Sequence, residues 1–150
     1  MQQFYEDYLD RLERLHEDAK AALEGLDAKS LDWKPGLEMN SLSVLVVHTA
    51  GAERFWIGDV AMRDPSDRKR DSEFQAAGLN PADLASRLDT NLNYIRQVLE
   101  ELTLEDLEQP RVTPDKRKVT LGWCLAHVLA HTANHVGHMQ LTRQFLHMEG

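Results

Sequence analysis

The sequence contains a single cysteine, Cys124, in 150 residues. No intrachain disulfide can form, which excludes the disulfide-stapled secreted folds. Long apolar runs are missing too: nothing approaches the ~20 consecutive apolar residues that a membrane helix needs. The opening residues, Met1-Gln2-Gln3-Phe4-Tyr5-Glu6-Asp7, lack the charged and apolar regions of a secretory signal. The expected location is therefore cytoplasmic. Basic charge is scarce, with 17 Lys and Arg against 25 Asp and Glu and a net charge of −8. A nucleic-acid binder normally carries a basic patch. The short basic runs, Arg68-Lys69-Arg70 and Lys116-Arg117-Lys118, read as solvated loop charges. The expected partner is a small molecule, with no nucleic acid and no membrane.

What the chain does have is helical period. Apolar residues make up 42% and charged residues 28%, the balance of a globular protein, and the length suits one domain spanning residues 1–150. From about Gln2 to Leu26, Phe4, Tyr8, Leu12, Leu15, Ala19 and Leu23 recur at three- and four-residue steps, the pattern of an amphipathic helix. Pro35-Gly36 marks a turn. A second helix starts at Asn40 or Ser41, either of which can cap it, with Leu45, His48, Ala52, Phe55, Asp59 and Met62 on one stripe. Residues 63–80 are polar and irregular. A third helix has a clear start, with Asn80 as cap, Pro81 in the first helical position and Asp83 near the positive end of the dipole; Leu84, Leu88, Leu92, Ile95, Leu99 and Leu102 follow. A short turn over Leu104 to Glu108 and a small hairpin within Arg111 to Val119 precede a fourth helix, from after Thr120 to about Met148. Four long helices, each with one apolar stripe, predict an all-α, four-helix bundle.

Seven histidines are present, and four fall on the fourth helix: His127, His131, His135 and His138. At about 100° per residue they share an arc of about 80°. His131 and His135 lean most toward the apolar face, and His127 lies nearer its edge. Two histidines one turn apart can both reach one metal ion, and imidazole suits zinc, nickel, iron and copper. His131-Thr132-Ala133-Asn134-His135 lacks the glutamate that follows the first histidine in the helical zinc proteases, so protease chemistry is set aside. A third ligand is available in His48, the one other histidine on the core stripe of a long helix. Three neutral histidines with a fourth position open to solvent is a catalytic-type arrangement, and His48, His131 and His135 fit it. His127 and His138 stand as alternative ligands. The bland alternative is a purely structural histidine stripe, which would leave several buried imidazoles in need of polar partners. His16 and His147, placed near helix termini among polar neighbours, receive no role. Cys124 reads as a small buried hydrophobe, Trp56, Trp123 and Phe55 as core or pocket wall, and Gly137 as a site of close helix packing. Glu53 is either a carboxylate that orients a metal ligand or a surface acid paired with a base.

Two stretches carry a resemblance: Asn40-Ser41-Leu42-Ser43-Val44-Leu45-Val46-Val47-His48-Thr49-Ala50-Gly51-Ala52-Glu53-Arg54-Phe55-Trp56, and Thr120-Leu121-Gly122-Trp123 through His127, His131, Asn134-His135-Val136-Gly137-His138 to Arg143. Together, at this separation and chain length, they resemble the second- and last-helix signatures of the DinB/YfiT-like superfamily. The resemblance implies a four-helix bundle running up-down-down-up. It also implies a divalent metal, often zinc or nickel, held by one histidine of the second helix and two of the last; position by position these are His48, His131 and His135. Many relatives carry another polar group at the place of His138, and one branch an acid at the place of His131, so the pair could instead be His127 and His131. Members include thiol-dependent transferases that use a low-molecular-weight thiol such as bacillithiol or mycothiol, and others are hydrolases or isomerases; homodimers are common. The implied activity is metal-dependent transfer of such a thiol to an electrophilic small molecule. The alternatives are a metal-dependent hydrolase, a non-catalytic metal-stabilised binding module related to stress, or a helical scaffold without metal.

Overall fold

A computed structural model describes residues 1–149. Four long helices dominate it: α1 (Gln3–Leu23), α3 (Leu42–Arg54), α5 (Pro81–Glu101) and α6 (Leu121–Glu149), with the short helices α2 (Ala28–Leu31) and α4 (Arg70–Glu73) in the connections. The hairpin is present, strand β1 (Pro110–Val112) pairing antiparallel with β2 (Lys118–Thr120). The expected starts hold. Ser41 caps α3 by accepting from the Val44 N–H at 3.1 Å, and Asn80 with Asp83 forms a reciprocal capping box with Pro81 at its first turn. Among the described residues, no helix is long and apolar enough to cross a membrane.

Side-chain contacts fix the direction of each helix. Tyr8 donates to the Leu125 carbonyl at 2.9 Å, and Arg143 donates to the Ala22 and Glu24 carbonyls at 3.0 and 2.8 Å. α1 and α6 therefore run parallel, and Arg143 satisfies the free carbonyls at the end of α1. Asn91 reaches the Ala50 carbonyl at 2.5 Å, and Arg54 lies over the Tyr94 ring, so α3 and α5 also run parallel. Ion pairs Arg96–Glu13 and Lys20–Asp89 hold α1 antiparallel to α5. The order is up-down-down-up, and the long connection after α3 is what lets α5 return in the same direction.

Two departures from the sequence reading concern the second helix and its loop. The α-helix ends at Arg54 and continues as a π-helical stretch, Phe55–Ala61. Gly58 lies inside it, and a Cβ there would fall 1.6 Å from Arg54 Nη1; the glycine gives the Arg54 guanidinium room to reach Asp59 and Asp64. The segment 63–80, expected to be irregular, contains α4. Gly137, expected to allow close helix packing, meets nothing within 4 Å.

The apolar core is split. One cluster gathers Tyr5, Leu12, Ile57, Ile95, Leu99, Leu121 and Leu125. The other gathers Leu23, Leu31, Leu42, Val46, Leu84, Leu88 and Met139. Between them lies a polar layer drawn from all four long helices. Glu53, 1% exposed, accepts from His16 Nε2 at 2.9 Å, Thr132 Oγ1 at 2.8 Å and Asn91 Nδ2 at 3.3 Å. This corrects two expectations. His16 is not a terminal residue among polar neighbours but a buried one in mid-helix, also 1% exposed. Glu53 is not a surface acid. Replacing it by alanine would leave the buried His16 and Thr132 donors without an acceptor and take from Asn91 one of its two, which costs far more than an exposed change. Glu53→Ala is expected to lower the unfolding free energy by about 3–5 kcal/mol and Glu53→Gln by less, since its amide oxygen still accepts. Urea unfolding measures both, and an alanine variant as stable as the parent would contradict the role of this layer.

Candidate metal centre

The site is built at the α3–α6 seam. Helical spacing puts His131 and His135 one turn apart on α6, and antiparallel packing brings His48 of α3 beside them. The His48 ring centroid is 5.1 Å from that of His131 and 5.0 Å from that of His135. Nε2 of His131 and Nε2 of His135 are 3.1 Å apart, and one ring nitrogen from each of the three lies within 4.8 Å of the others. Two ~2.0–2.1 Å bonds at a tetrahedral angle set their nitrogens about 3.3 Å apart. The α6 pair is close to that separation, and His48, with a nitrogen within 4.8 Å of theirs, would complete the set by moving inward.

His48 is oriented by a residue that sequence reasoning did not single out. Its Nδ1 donates to Glu73 Oε1 at 3.0 Å, which fixes the tautomer and leaves the Nε2 lone pair directed away from the carboxylate. Glu73, 7% exposed, is held in turn by Arg68, whose Nε and Nη2 each donate at 2.8 Å. Arg68 is thus a fork locked onto a buried carboxylate, not a solvated loop charge. Gly51 makes the arrangement possible: a Cβ there would lie 1.9 Å from Glu73 Oε2. Glu73 belongs to α4, within the stretch whose sequence shows no period, and only the packing of that short helix on α3 reveals it.

The other candidates fall around this centre. His127 stacks on Trp123, with ring centroids 4.9 Å apart and planes 8° from parallel, and meets Trp56 edge-on at 4.7 Å. It forms a wall beside His131, 5.7 Å away. His138 is exposed, with its Nδ1 3.4 Å from Nδ1 of His135. It lies outside the converging trio, at the far side of the His135 ring. Glu53 bonds to none of the three. Cys124 is fully buried, and burial pushes its thiol up to about 11, so it stays protonated and unreactive.

Burial, followed by the neighbouring His135, His48 and His127 and the Arg68 charge, lowers His131 to about 3. Burial, then His48 and His138, lowers His135 to about 4. His48 is also lowered, first by burial, although Glu73 opposes the shift. The three rings are therefore neutral at pH 7, the form in which imidazole binds a metal. Two neutral ring nitrogens 3.1 Å apart can satisfy each other only if one carries the proton; a cation between them satisfies both. The donor set thus fits a borderline-soft divalent ion.

A family model described as mycothiol S-transferase matches residues 7–147. The chain belongs to the mycothiol S-transferase family. That family lies within the DinB/YfiT-like superfamily, and solved structures share its fold. A conserved protein from Enterococcus faecalis superposes with a TM-score of 0.78 at 15% identity, covering 97% of this chain and 98% of the other. YfiT from Bacillus subtilis, described as a probable metal-dependent hydrolase with an unusual four-helix bundle topology, gives 0.72 at 18% identity, over 96% and 89% of the two chains. A mycothiol-dependent maleylpyruvate isomerase gives 0.67 at 16% identity, and this family member spans 62% of the isomerase's length. A sequence comparison with curated proteins finds no match. At these identities the structural likeness establishes the shared fold.

The histidine shifts have a testable consequence. Unfolded, His131 and His135 titrate near ~6.5; folded, they titrate far lower. Below pH ~6.5 the unfolded chain binds more protons, so stability falls as the pH drops, until the folded groups titrate as well. Metal-free protein should lose urea resistance between pH 7 and 5, and a His131→Ala, His135→Ala double variant should lose less over the same interval. Equal losses would contradict the shifted histidines.

Proposed function

We propose that His48, His131 and His135 hold one divalent transition metal, zinc or nickel, and that the protein transfers a low-molecular-weight thiol to an electrophilic small molecule. The observation that carries this reading is the convergence of three neutral ring nitrogens, with two of the rings, His48 and His131, lining an open pocket. Three protein ligands with a free approach are the arrangement of catalytic sites, whereas structural sites are closed by four. The family description supports a thiol as co-substrate, with mycothiol as the first candidate.

Lewis acidity is what the bound ion supplies, favouring the thiolate form of a thiol near it. The chain's own groups do the rest. Glu73, locked by Arg68, keeps the Nδ1 proton on His48 and so presents Nε2. His138 stands at Nδ1 of His135, able to accept a hydrogen bond from the N–H that the ligating tautomer carries there. Trp56, Trp123 and His127 form an aromatic wall that limits water on one side. The thiol must come from outside, because the chain's single cysteine is buried and protonated. In the transfer the thiol proton leaves to solvent, a sulfur–carbon bond forms, and the leaving group departs with its electron pair. A metal-dependent hydrolase would use the same pocket with water in place of the thiol; dependence of turnover on added thiol separates the two. A metal-stabilised module without catalysis is disfavoured by the open approach.

Elemental mass spectrometry on tag-free protein should find about one metal per chain in the parent and in His127→Ala, and far less in His48→Ala, His131→Ala and His135→Ala. Glu73→Gln should remain folded and weaken metal affinity by about 10–100-fold, the usual effect of losing an outer partner. An empty parent after reconstitution with zinc or nickel would overturn the proposal.

A further inference from the structure

The pocket that opens on His48 and His131 encloses about 550 Å³, room for a small molecule. In a chain with a net charge of −8, its charged lining is three arginines, Arg68, Arg70 and Arg117, against one acid, Asp115. The three guanidiniums differ in how far they are committed. Arg68 gives Nε and Nη2 to Glu73, leaving its Nη1 edge. Arg117 donates to Asp115 at 2.8 Å and lies 5.4 Å from the Trp123 ring centre. Arg70 has no carboxylate partner among the described residues. Its guanidinium sits over the Phe74 ring at 5.0 Å, and Phe74 in turn leans on His48 with ring centres 4.9 Å apart. One aromatic ring thus separates a free guanidinium from the metal centre. Arginine presents a planar fork of donors that matches a carboxylate and, when stacked on an aromatic face, loses little freedom on binding.

We propose that this wall is a carboxylate subsite: Arg70, assisted by Arg117 and the free edge of Arg68, binds the carboxylate of a small molecule whose reactive end lies over the three imidazoles. The inference rests on the metal-centre reading, which gives that end its chemistry. The carboxylate belongs either to the thiol or to the electrophile. The recognition is the same in both cases, and the two sources are told apart by probe. Because the guanidiniums are partly hydrated, binding should weaken as salt is raised.

The test uses metal-loaded, full-length protein and two matched pairs, N-acetylcysteine against its amide and succinate against succinamide. Quenching of Trp56 and Trp123 fluorescence reads binding, and metal content is measured on the same samples. In the parent, at least one carboxylate should bind about tenfold more tightly than its amide, the scale of a charge-assisted contact. A preference in the first pair assigns the carboxylate to the thiol, and one in the second assigns it to the electrophile. Arg70→Ala should abolish the preference while keeping the metal. Lys69→Ala, which removes a neighbouring charge outside this pocket, should keep both. Equal binding of acid and amide in both pairs, no binding of any probe, or a preference that survives in Arg70→Ala would overturn the subsite even with one metal per chain. A preserved preference in the parent with no metal bound would instead overturn the metal-centre reading alone.

Discussion

The Glu53 carboxylate is the constraint around which the bundle is organised. It is buried between two apolar clusters and accepts hydrogen bonds from α1, α5 and α6 while belonging to α3. Apolar contacts alone tolerate sliding of one helix along another, because leucine meets leucine at many registers. A buried carboxylate does not: a shift of one turn would strand it and its donors in a low-dielectric interior at several kcal/mol. The layer thereby fixes the register of α3 against α6. Thr132, one of its donors, immediately precedes Ala133 and follows His131, and Glu53 lies five residues after His48, so the same register that satisfies Glu53 brings the three imidazoles together.

A second carboxylate repeats this logic one layer outward. Glu73 joins α4 to His48 and to Arg68, and it fits only because residue 51 is glycine. One acid thus sets the helices and the other sets the ring. The orienting of a metal ligand that the sequence offered as one reading of Glu53 falls to Glu73 instead. Arg68 has two consequences: it holds Glu73 in place and adds positive charge to the pocket mouth, which helps keep His131 neutral.

Much of this was legible in the sequence, and the reasons differ by element. The long helices follow from apolar period, and the starts of α3 and α5 from Ser41, Asn80 and Pro81. The trio of histidines was readable from the one-turn spacing on α6 and the place of His48 on an apolar stripe. The polar layer left a signal that was easy to pass over. His16 stands four residues after Leu12 and three before Ala19, and Thr132 stands midway between Val128 and Val136, so both are polar residues on buried stripes. Glu73 left none, because α4 is a single turn in a polar stretch and its partner is 25 residues away. The π-helical run after Arg54 was equally silent, since the stripe continues through it without a break.

The central claim is that His48, His131 and His135 act as one chelating centre. Titrating the metal-free protein at pH 7 with cobalt(II), a spectroscopic stand-in for zinc, tests it most directly through visible d–d absorption. An intense band that saturates at one equivalent is expected, as for a low-coordinate site of nitrogen ligands, together with its loss in the His48→Ala variant. Absorption no stronger than that of the aqueous ion, or a band that persists unchanged in that variant, would contradict it.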